Sequence, residues 1–349
     1  MIKRNIRLSK SLISESEKKA VLKVLDKEFL GMGAEVKEFE NVLENYFNSP
    51  AVCVVNGTAA LHLALQASDI GIGDEVLIQS ITYVASIQAI TATGAKPIFC
   101  DVDPNTLTLK IPDLKKNLTK RTKAIIPVHY AGGVGDLDSI YNFARENKLR
   151  VIEDAAHAFG TVYKKNKVGS IGDIICFSFD GIKNITSGEG GCVLSKDELI
   201  MKKIRDARLL GVEKDTEARY QGERSWEFDV KDQGWRYHMS NIMASIGIEQ
   251  MKRFNLFIEK RRKLAKLYYE LLKEQKSIRL LKIDLENTVM HIFPIIILDQ
   301  SLRTKLRNFL LEKGIQTGIH YYPNHLLSFF RNNGQSFRLQ NTMDIYPKL

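Results

Sequence analysis

Short apolar runs alternate with helix-like segments from Ala51 to Phe179, and this alternation constrains the fold more than any other feature of the chain. The apolar runs are AVCVV, DEVLIQS, KPIFCDVD, KAIIPVHY, RVIEDAA and DIICFSF. Segments between them, such as TAALHLALQAS and DLDSIYNFARENK, have apolar residues at helical spacing. Strands connected through helices pair in parallel, because a crossover lets the next strand start in the same direction. The sequence therefore predicts an α/β fold whose mostly parallel sheet is covered by helices on both faces.

The segments on either side of this region have different patterns. ISESEKKAVLKVLDKE and GAEVKEFENVLENYF, which precede Ala51, predict two surface helices. The polar residues 213–233 predict a loop, and a long helix is expected over the following MASIGIEQMKRFNLFIEKRRKLAKLYYELLKEQ. TVMHIFPIIIL and SLRTKLRNFLLEKGIQTGIHYY then predict a smaller strand-and-helix unit. We therefore divide the chain into a large domain at 1–240, and a long helix with a small C-terminal domain at 241–349.

Composition argues against several classes of protein. With 349 residues, of which 44% are hydrophobic, the chain can bury a large core and is unlike a small binding module. The formal net charge of +10 would suit a nucleic acid, a membrane surface or a polyanionic small molecule. Its lysines and arginines are scattered among acids and polar residues, however, which is typical of a solvated surface. Nothing in the sequence resembles a nucleic-acid-binding module, so no nucleic-acid partner is predicted.

Cysteine usage and hydropathy indicate a cytoplasmic protein without a membrane partner. The four cysteines lie far apart in apolar contexts and have no metal-ligand spacing, so we predict buried reduced thiols and no metal site. The basic N-terminus is not followed by an apolar signal region. The apolar stretch at 291–298 has the length of a strand and contains a proline.

Several polar residues are predicted at the ends of strands, where ligands collect in open α/β sheets. Gly57 and Thr58 begin a helix after a strand, so their N–H groups would suit a phosphate or form an ordinary helix start. Asp154 ends another strand and could hold a protonated ring nitrogen or only begin a helix. Tyr83 could cover a flat ligand or pack in the core, and His157 could be a packed histidine.

Lys183 stands between a strand-like run and a glycine-rich stretch in FSFDGIKNITSGEGG, and Ser178 precedes it by five residues. An anion-binding helix start, an aromatic ring, a strand-end aspartate, a hydroxyl and a lysine are together the groups that hold pyridoxal phosphate (PLP). A lysine Schiff base and an acid paired with the pyridine nitrogen make this cofactor an electron sink.

The chain resembles the DegT/DnrJ/EryC1/StrS family of sugar aminotransferases, which are fold type I, PLP-dependent enzymes acting on nucleotide-linked keto sugars. The resemblance runs from Ile6 to about Pro347. Its motifs are FLGMGAEVKEFE, NGTAALHLAL, GIGDEVL, TYVAS, DVDPNT, KAIIPVHYAG, VIEDAAHAFG, FSFDGIKNITSGEGG and RYHMSNIMASIGIEQ. It implies a large domain with a mostly parallel seven-stranded sheet and a smaller C-terminal α/β domain.

The resemblance also implies a role for each residue at a matching position. Lys183 would form the Schiff base and then move the proton between cofactor and substrate carbons. Asp154 would pair with the pyridine nitrogen, and Tyr83 would stack on the ring. The cofactor phosphate would be bound by Gly57, Thr58, Ala59 and Ser178.

Two positions depart from the family pattern. His157 stands where many relatives have glutamine, and should still lie beside the cofactor ring. Arg236, in GWRYHMSNI, stands where the family commonly has an asparagine that binds the cofactor phosphate of the neighbouring subunit. The resemblance therefore implies a homodimer in which Arg236 completes the partner's site. His320 and Tyr321 are the predicted contacts of the sugar.

The implied reaction transfers an amino group from L-glutamate to a nucleotide-linked keto sugar, with 2-oxoglutarate and the pyridoxamine form of the cofactor (PMP) produced on the way. The amino sugar would serve surface polysaccharide or glycoconjugate biosynthesis. The motif at 187–191, SGEGG, resembles members that act at C4, so we expect a 4-keto-6-deoxy sugar. A 3-keto sugar is the alternative, as is a basic binding or regulatory protein without turnover. Sugar dehydratases of this fold replace the lysine with histidine, and Lys183 argues against that activity.

Overall fold

The computed structural model describes residues 5–224, 226–331 and 338–349. Its helices are α1 Glu15–Asp26, α2 Ala34–Phe47, α3 Gly57–Ala67, α4 Val84–Ala92, α5 Ile111–Asn117, α6 Leu137–Glu146, α7 Glu198–Ala207, α8 Asp215–Tyr220, α9 Asn241–Lys252, α10 Phe254–Leu272, α11 Ser301–Glu312, α12 Ser328–Arg331 and α13 Gln340–Ile345. Its strands are β1 Ala51–Val54, β2 Glu75–Gln79, β3 Lys96–Cys100, β4 Thr122–Ile126, β5 Arg150–Asp154, β6 Val162–Tyr163, β7 Asn166–Lys167, β8 Ile174–Ser178, β9 Gly191–Leu194, β10 Ile278–Leu280 and β11 Ile295–Ile297. Short 3-10 turns occupy Tyr130–Gly132, Asn324–Leu326 and Tyr346–Lys348.

The central sheet has seven strands in the order β1-β9-β8-β5-β4-β2-β3. Strands β8, β5, β4, β2 and β3 pair in parallel, which confirms the predicted mostly parallel sheet. Strand β9 is antiparallel to both of its neighbours. The chain between β8 and β9 contains no helix that would carry it back to the end of the sheet where β8 begins. The chain therefore reverses direction, and β9 pairs antiparallel with β8. This reversal produces the loop that contains Lys183.

Side chains of the sheet strands alternate between hydrophobic cores on the two faces of the sheet. In β1, Val52 and Val54 pack in the core under α3 and α7, whereas Cys53 packs in the core under α2 and α9. The alternation follows from the two-residue period of a strand. Helices therefore cover both faces, as the sequence predicts. The four cysteines are buried and free.

Two predictions for the later part of the chain need correction. The predicted loop at 213–233 contains the short helix α8, whose Asp215 and Thr216 are buried and whose Thr216 hydroxyl donates to the Arg205 carbonyl of α7. The predicted single long helix is two helices, α9 and α10, because it is interrupted at Arg253, where the backbone leaves the helical region (φ −106°, ψ 4°). The Arg253 side chain pairs with Glu17 of α1, and Phe254 packs on Phe159 with ring centroids 5.0 Å apart.

The C-terminal region is more loosely buried than the large sheet. Strands β10 and β11 form a separate two-stranded antiparallel sheet. Helix α10 buries only Phe254, Phe257 and Ala265, and no residue of α11 is fully buried. The division of the chain at residue 240 stays a prediction. Within the described parts of the chain, every helix is too short or too polar to cross a membrane.

Candidate active site

Four strands that run in the same direction end at one edge of the sheet, and each leads into a residue that the sequence singled out. Strand β1 leads into the start of α3, and β2 leads to Tyr83 at the start of α4. Asp154 is the last residue of β5, and Ser178 is the last residue of β8. This is the position at which open α/β sheets bind ligands.

The start of α3 forms a tight cradle against the end of β8. A Cβ atom added to Gly57 would lie 2.8 Å from Ser178 Cβ, and one added to Gly191 would lie 2.6 Å from the Asn56 carbonyl. Only glycine permits these approaches. The Asn56 side chain caps the helix by accepting the Ala59 N–H at 2.8 Å. The first N–H groups of a helix have no partner within it, so those of Gly57 and Thr58 are suited to an anion, whereas that of Ala59 is already engaged.

Asp154 is a buried carboxylate with two hydrogen bonds. Its Oδ2 accepts a hydrogen bond from Ser86 Oγ at 2.6 Å, and its Oδ1 accepts the Ala156 N–H at 3.2 Å. Ser86 belongs to α4 and lies 3.0 Å from Thr82 Oγ1. The carboxylate is therefore held from two sides. The sequence analysis did not identify Ser86, although it lies one helical turn after Tyr83 in the TYVAS motif.

Lys183 lies in a turn of the β8–β9 loop, where its backbone N–H donates to the Asp180 carbonyl at 3.0 Å. Burial lowers the pKa of Lys183, and the nearby Asp154 and Asp180 carboxylates oppose this shift. At a given pH, Lys183 is therefore more often neutral than an exposed lysine would be. Its amino group forms no hydrogen bond with the residues that the structure describes. An amine with a lowered pKa and no hydrogen-bond partner among the described residues is suited to nucleophilic chemistry.

Aromatic residues from both parts of the chain lie beside Asp154 and Lys183. Tyr83 is 60% exposed, which contradicts the alternative of a core tyrosine, and its ring centroid is 5.8 Å from that of Tyr321. The Tyr321 hydroxyl lies 3.1 Å from His157 Nε2. The His320 carbonyl accepts a hydrogen bond from the Tyr130 hydroxyl, and burial and Lys183 lower the pKa of His320. The structure therefore brings together residues that are far apart in the sequence.

Arg236 belongs to a segment that runs beside the end of β1, where the Val55 N–H donates to the Tyr237 carbonyl at 2.7 Å. Arg236 is exposed and lies in a bridge with Leu209. Its electrostatic neighbour is His238, whose pKa is lowered to about 4 by burial and by nearby arginines that include Arg236. The described residues show no contact between Arg236 and Lys183 or Asp154.

Two further site residues were missed by the sequence analysis. The ring of His291 lies 4.4 Å from that of His157, measured between centroids. Asn184, next to Lys183, donates hydrogen bonds to the carbonyls of Phe159 at 3.0 Å and Val289 at 3.1 Å. A histidine within the apolar run TVMHIF was the available signal for His291. Its neighbours only become apparent in the folded chain.

Comparison with known proteins identifies the family. The model of the DegT/DnrJ/EryC1/StrS aminotransferase family matches residues 11–349. This chain belongs to that family. The aminotransferase is 36% identical to GDP-perosamine synthase of Escherichia coli O157:H7, over 93% of this chain and 86% of the relative. It is 39% identical to the spore coat polysaccharide biosynthesis protein SpsC of Bacillus subtilis, over 74% of this chain and 66% of the relative.

Solved structures agree on the fold and the cofactor of the aminotransferase. Spr1654 of Streptococcus pneumoniae in its PLP form has a TM-score of 0.87 and 30% identity, covering 95% of this chain and 88% of that one. Its PMP form has a TM-score of 0.88 and 31% identity, covering 99% and 89%. The predicted fold type I architecture, PLP dependence and sugar-aminotransferase class are confirmed.

Proposed function

We propose that this aminotransferase moves the amino group of L-glutamate to a nucleotide-linked 4-keto-6-deoxy sugar, with Lys183 as its catalytic residue. The observation that carries the proposal is the position of Lys183. A lysine whose pKa is lowered by burial lies within electrostatic range of Asp154, at the sheet edge where α3 presents its free N–H groups.

The residues at this edge fit PLP. Gly57 approaches Ser178 too closely for any residue with a Cβ atom to replace it. A phosphate bound at this start of α3 would meet the N–H groups of Gly57 and Thr58. Asp154 is held in place to accept a hydrogen bond from a protonated ring nitrogen. The exposed ring of Tyr83 is available to cover one face of the cofactor. His157 has an unpartnered buried Nδ1 among the described residues, which leaves a polar atom for the ligand.

When bound, PLP supplies the electron sink that makes a carbon–hydrogen bond beside the amino group acidic. The chain's own part is proton transfer and orientation. Lys183 is suited to accept and return a proton because burial reduces the cost of its neutral form. Asp154 is oriented by Ser86 and by the Ala156 N–H, so it need not reorganise during the reaction. Burial raises the pKa of Tyr321, which keeps its hydroxyl protonated as a donor.

The sugar is proposed from the sequence motif and the relatives. The SGEGG motif at 187–191 favours a 4-keto sugar, and a 3-keto sugar is the second candidate. GDP-perosamine synthase is named for a nucleotide-linked sugar, and SpsC for polysaccharide biosynthesis. His320 and Tyr321, beside Lys183 and His157, are the proposed sugar contacts. The buried free thiols favour an enzyme of the cytoplasm.

We also propose a homodimer whose sites are shared. Arg236 is exposed on its own chain and has no described contact with Lys183 or Asp154, so its guanidinium is available to a neighbouring subunit. A guanidinium offers several donors and a full charge to a dianionic phosphate.

The test is a two-step assay on the purified protein loaded with PLP. L-Glutamate should shift the visible absorbance of the cofactor, and a nucleotide-linked keto sugar should reverse the shift and yield an amino sugar of the expected mass. Matched 4-keto and 3-keto substrates are compared, with Lys183→Ala as the inactive control. Exclusive use of the 3-keto sugar would disprove the C4 proposal, and no response to either sugar would disprove the substrate class.

A further inference from the structure

A segment from the C-terminal region, 288–291, reaches the site through an unusually close junction with the large domain. Gly132 has φ +102°, and a Cβ added to it would lie 2.8 Å from the Val289 carbonyl and 3.1 Å from the His157 carbonyl. Three stretches of backbone therefore meet at one glycine. A side chain there would separate His157 from the segment that carries His291.

Side-chain and backbone hydrogen bonds hold this junction together. Thr161 Oγ1 donates to the Gly132 carbonyl and accepts the Val289 N–H, both at 3.1 Å. Asn184, beside Lys183, donates to the Val289 carbonyl at 3.1 Å. The His291 N–H donates to the Ala131 carbonyl at 3.1 Å. The backbone of His291 is thus tied to the large domain and to the loop that contains Lys183.

The result of this arrangement is a pair of imidazoles in contact. The His157 and His291 rings are tilted by 36°, with centroids 4.4 Å apart. His157 Nε2 is 3.1 Å from the Tyr321 hydroxyl. One face of the His157 ring packs against the ring of His291. Neither Nδ1 atom has a hydrogen-bond partner within the described ranges. Core packing alone would favour an apolar residue at 291, because buried nitrogens without partners are costly.

We propose that His291 is a positioning residue of the aminotransferase site, which holds His157 in the orientation and the neutral form in which it meets the cofactor. The inference rests on the proposed function of the site. His157 is surrounded by His291, Lys183, His320 and Tyr321, and His291 is also near Arg261. Burial disfavours a proton on His157, and these neighbours add to the effect because they are neutral or cationic, so the ring stays neutral while His291 stays in place.

The experiment measures His157 in the cofactor-free protein, so it does not depend on turnover. Protein labelled with ¹³C at histidine Cε1 is titrated by NMR, and the resonances of the seven histidines are assigned by single substitutions. In the wild type, His157 should titrate well below the usual histidine range, and its ring should show a through-space contact with His291. His291→Phe keeps a ring of similar size but removes the nitrogens, and should raise the pKa of His157. His62→Phe is the matched control, because His62 is a buried histidine whose ring packs on Trp235, at 5.1 Å between centroids, and not on His157 or His291 among the described residues.

The same variants are then tested for cofactor binding. We expect His291→Phe to weaken PLP binding about tenfold, the scale typical of residues that orient a ligand-binding group, and His62→Phe to leave it unchanged. His291→Gln, which keeps polar atoms, should restore part of the affinity.

An ordinary pKa for His157 in the wild type, or no contact between the two rings, would overturn the proposal, and this measurement does not depend on how His291→Phe folds. An unchanged His157 pKa and unchanged PLP affinity in a folded His291→Phe protein would overturn it equally. Either result would leave the proposed amino transfer intact, because that is decided separately by Lys183→Ala and the keto-sugar assay.

Discussion

Asp154 and Ser178 lie at the ends of adjacent parallel strands, whereas His291 and Tyr321 reach the same place from much later segments of the chain. We call Gly57, Asp154, Ser178 and Lys183 the sheet half of the site, and His291, His320 and Tyr321 the C-terminal half. Strand ends and a helix start position Gly57, Asp154 and Ser178, and the loop between the paired strands β8 and β9 positions Lys183. The C-terminal half depends on a few hydrogen bonds, such as those from Asn184 to Val289 and from Tyr130 to His320.

The difference indicates how the two halves contribute to function. Residues at strand ends cannot move without disturbing the central sheet, which suits groups that must hold a cofactor in one geometry. Segments joined by side-chain hydrogen bonds can change without loss of the sheet, which suits contacts that select a substrate, as proposed for His320 and Tyr321. Substitutions in the sheet half should therefore abolish the chemistry, and those in the C-terminal half should alter binding.

The largest effect is expected for Lys183→Ala. Removal of the amine eliminates both the attachment of the cofactor and the proton transfer, so turnover should fall by ~10³-fold or more. The fold should persist, since the amino group makes no hydrogen bond with the described residues. Turnover with glutamate and a keto sugar, together with thermal unfolding, checks both parts. Normal turnover would disprove the assignment.

The same lysine provides a test that needs no cofactor. Because burial lowers the pKa of Lys183, an amine-reactive reagent should modify it at a lower pH than it modifies the exposed Lys260. Peptide mass mapping of cofactor-free protein over a pH series measures the order. Modification of Lys183 only at the higher pH would contradict the proposed environment.

Asp154→Asn should have the next largest effect. The amide keeps the shape and can still accept a hydrogen bond from Ser86, but it removes the charge that would stabilise a protonated ring nitrogen. We expect kcat/KM to fall ~10²-fold, with a smaller loss of stability. Ser86→Ala is the matched variant, and should show a weaker version of the same defect. Near-normal activity in Asp154→Asn would contradict the proposed pairing.

The next prediction concerns Arg236, which we propose acts in the site of the neighbouring subunit. Lys183→Ala and Arg236→Ala chains are prepared separately, unfolded together and reassembled. If Arg236 acts across the interface, each mixed dimer has one site with both residues, and about a quarter of all sites regain activity. If it acts within its own chain, no site in a mixed dimer has both. Absence of recovery would exclude a shared site, provided that mixed dimers have formed and Arg236→Ala alone is impaired.

The smallest effect is expected for Asn184→Ala, which releases the C-terminal half from the Lys183 loop. Loss of two buried hydrogen bonds should cost ~1–3 kcal/mol in the free energy of unfolding. KM for the nucleotide sugar should rise several-fold, while the absorbance change with glutamate remains. Asn117→Ala, at a partly buried amide of α5, is the control for stability alone. Loss of the absorbance change with glutamate, together with an unchanged KM for the nucleotide sugar, would contradict this division of roles between the sheet half and the C-terminal half.

The alternation of apolar runs was sufficient to predict the α/β sheet and its helical faces, because burial on both faces gives a strand a continuous apolar pattern. Motif order and the family resemblance pointed to Lys183 and Asp154, which follow strands and can be located by their place along the chain. The roles of these residues stay predictions until the substitutions are made.

Other features were decided only by the tertiary structure. The reversal of β9, the break at Arg253 and the helix α8 depend on which segments lie against each other, which local periodicity does not report. The same reason explains why Ser86, Asn184 and His291 were missed. Their significance comes from contacts with Asp154, Val289 and His157, and those contacts exist only once the sheet, the loop and the C-terminal segment have packed together.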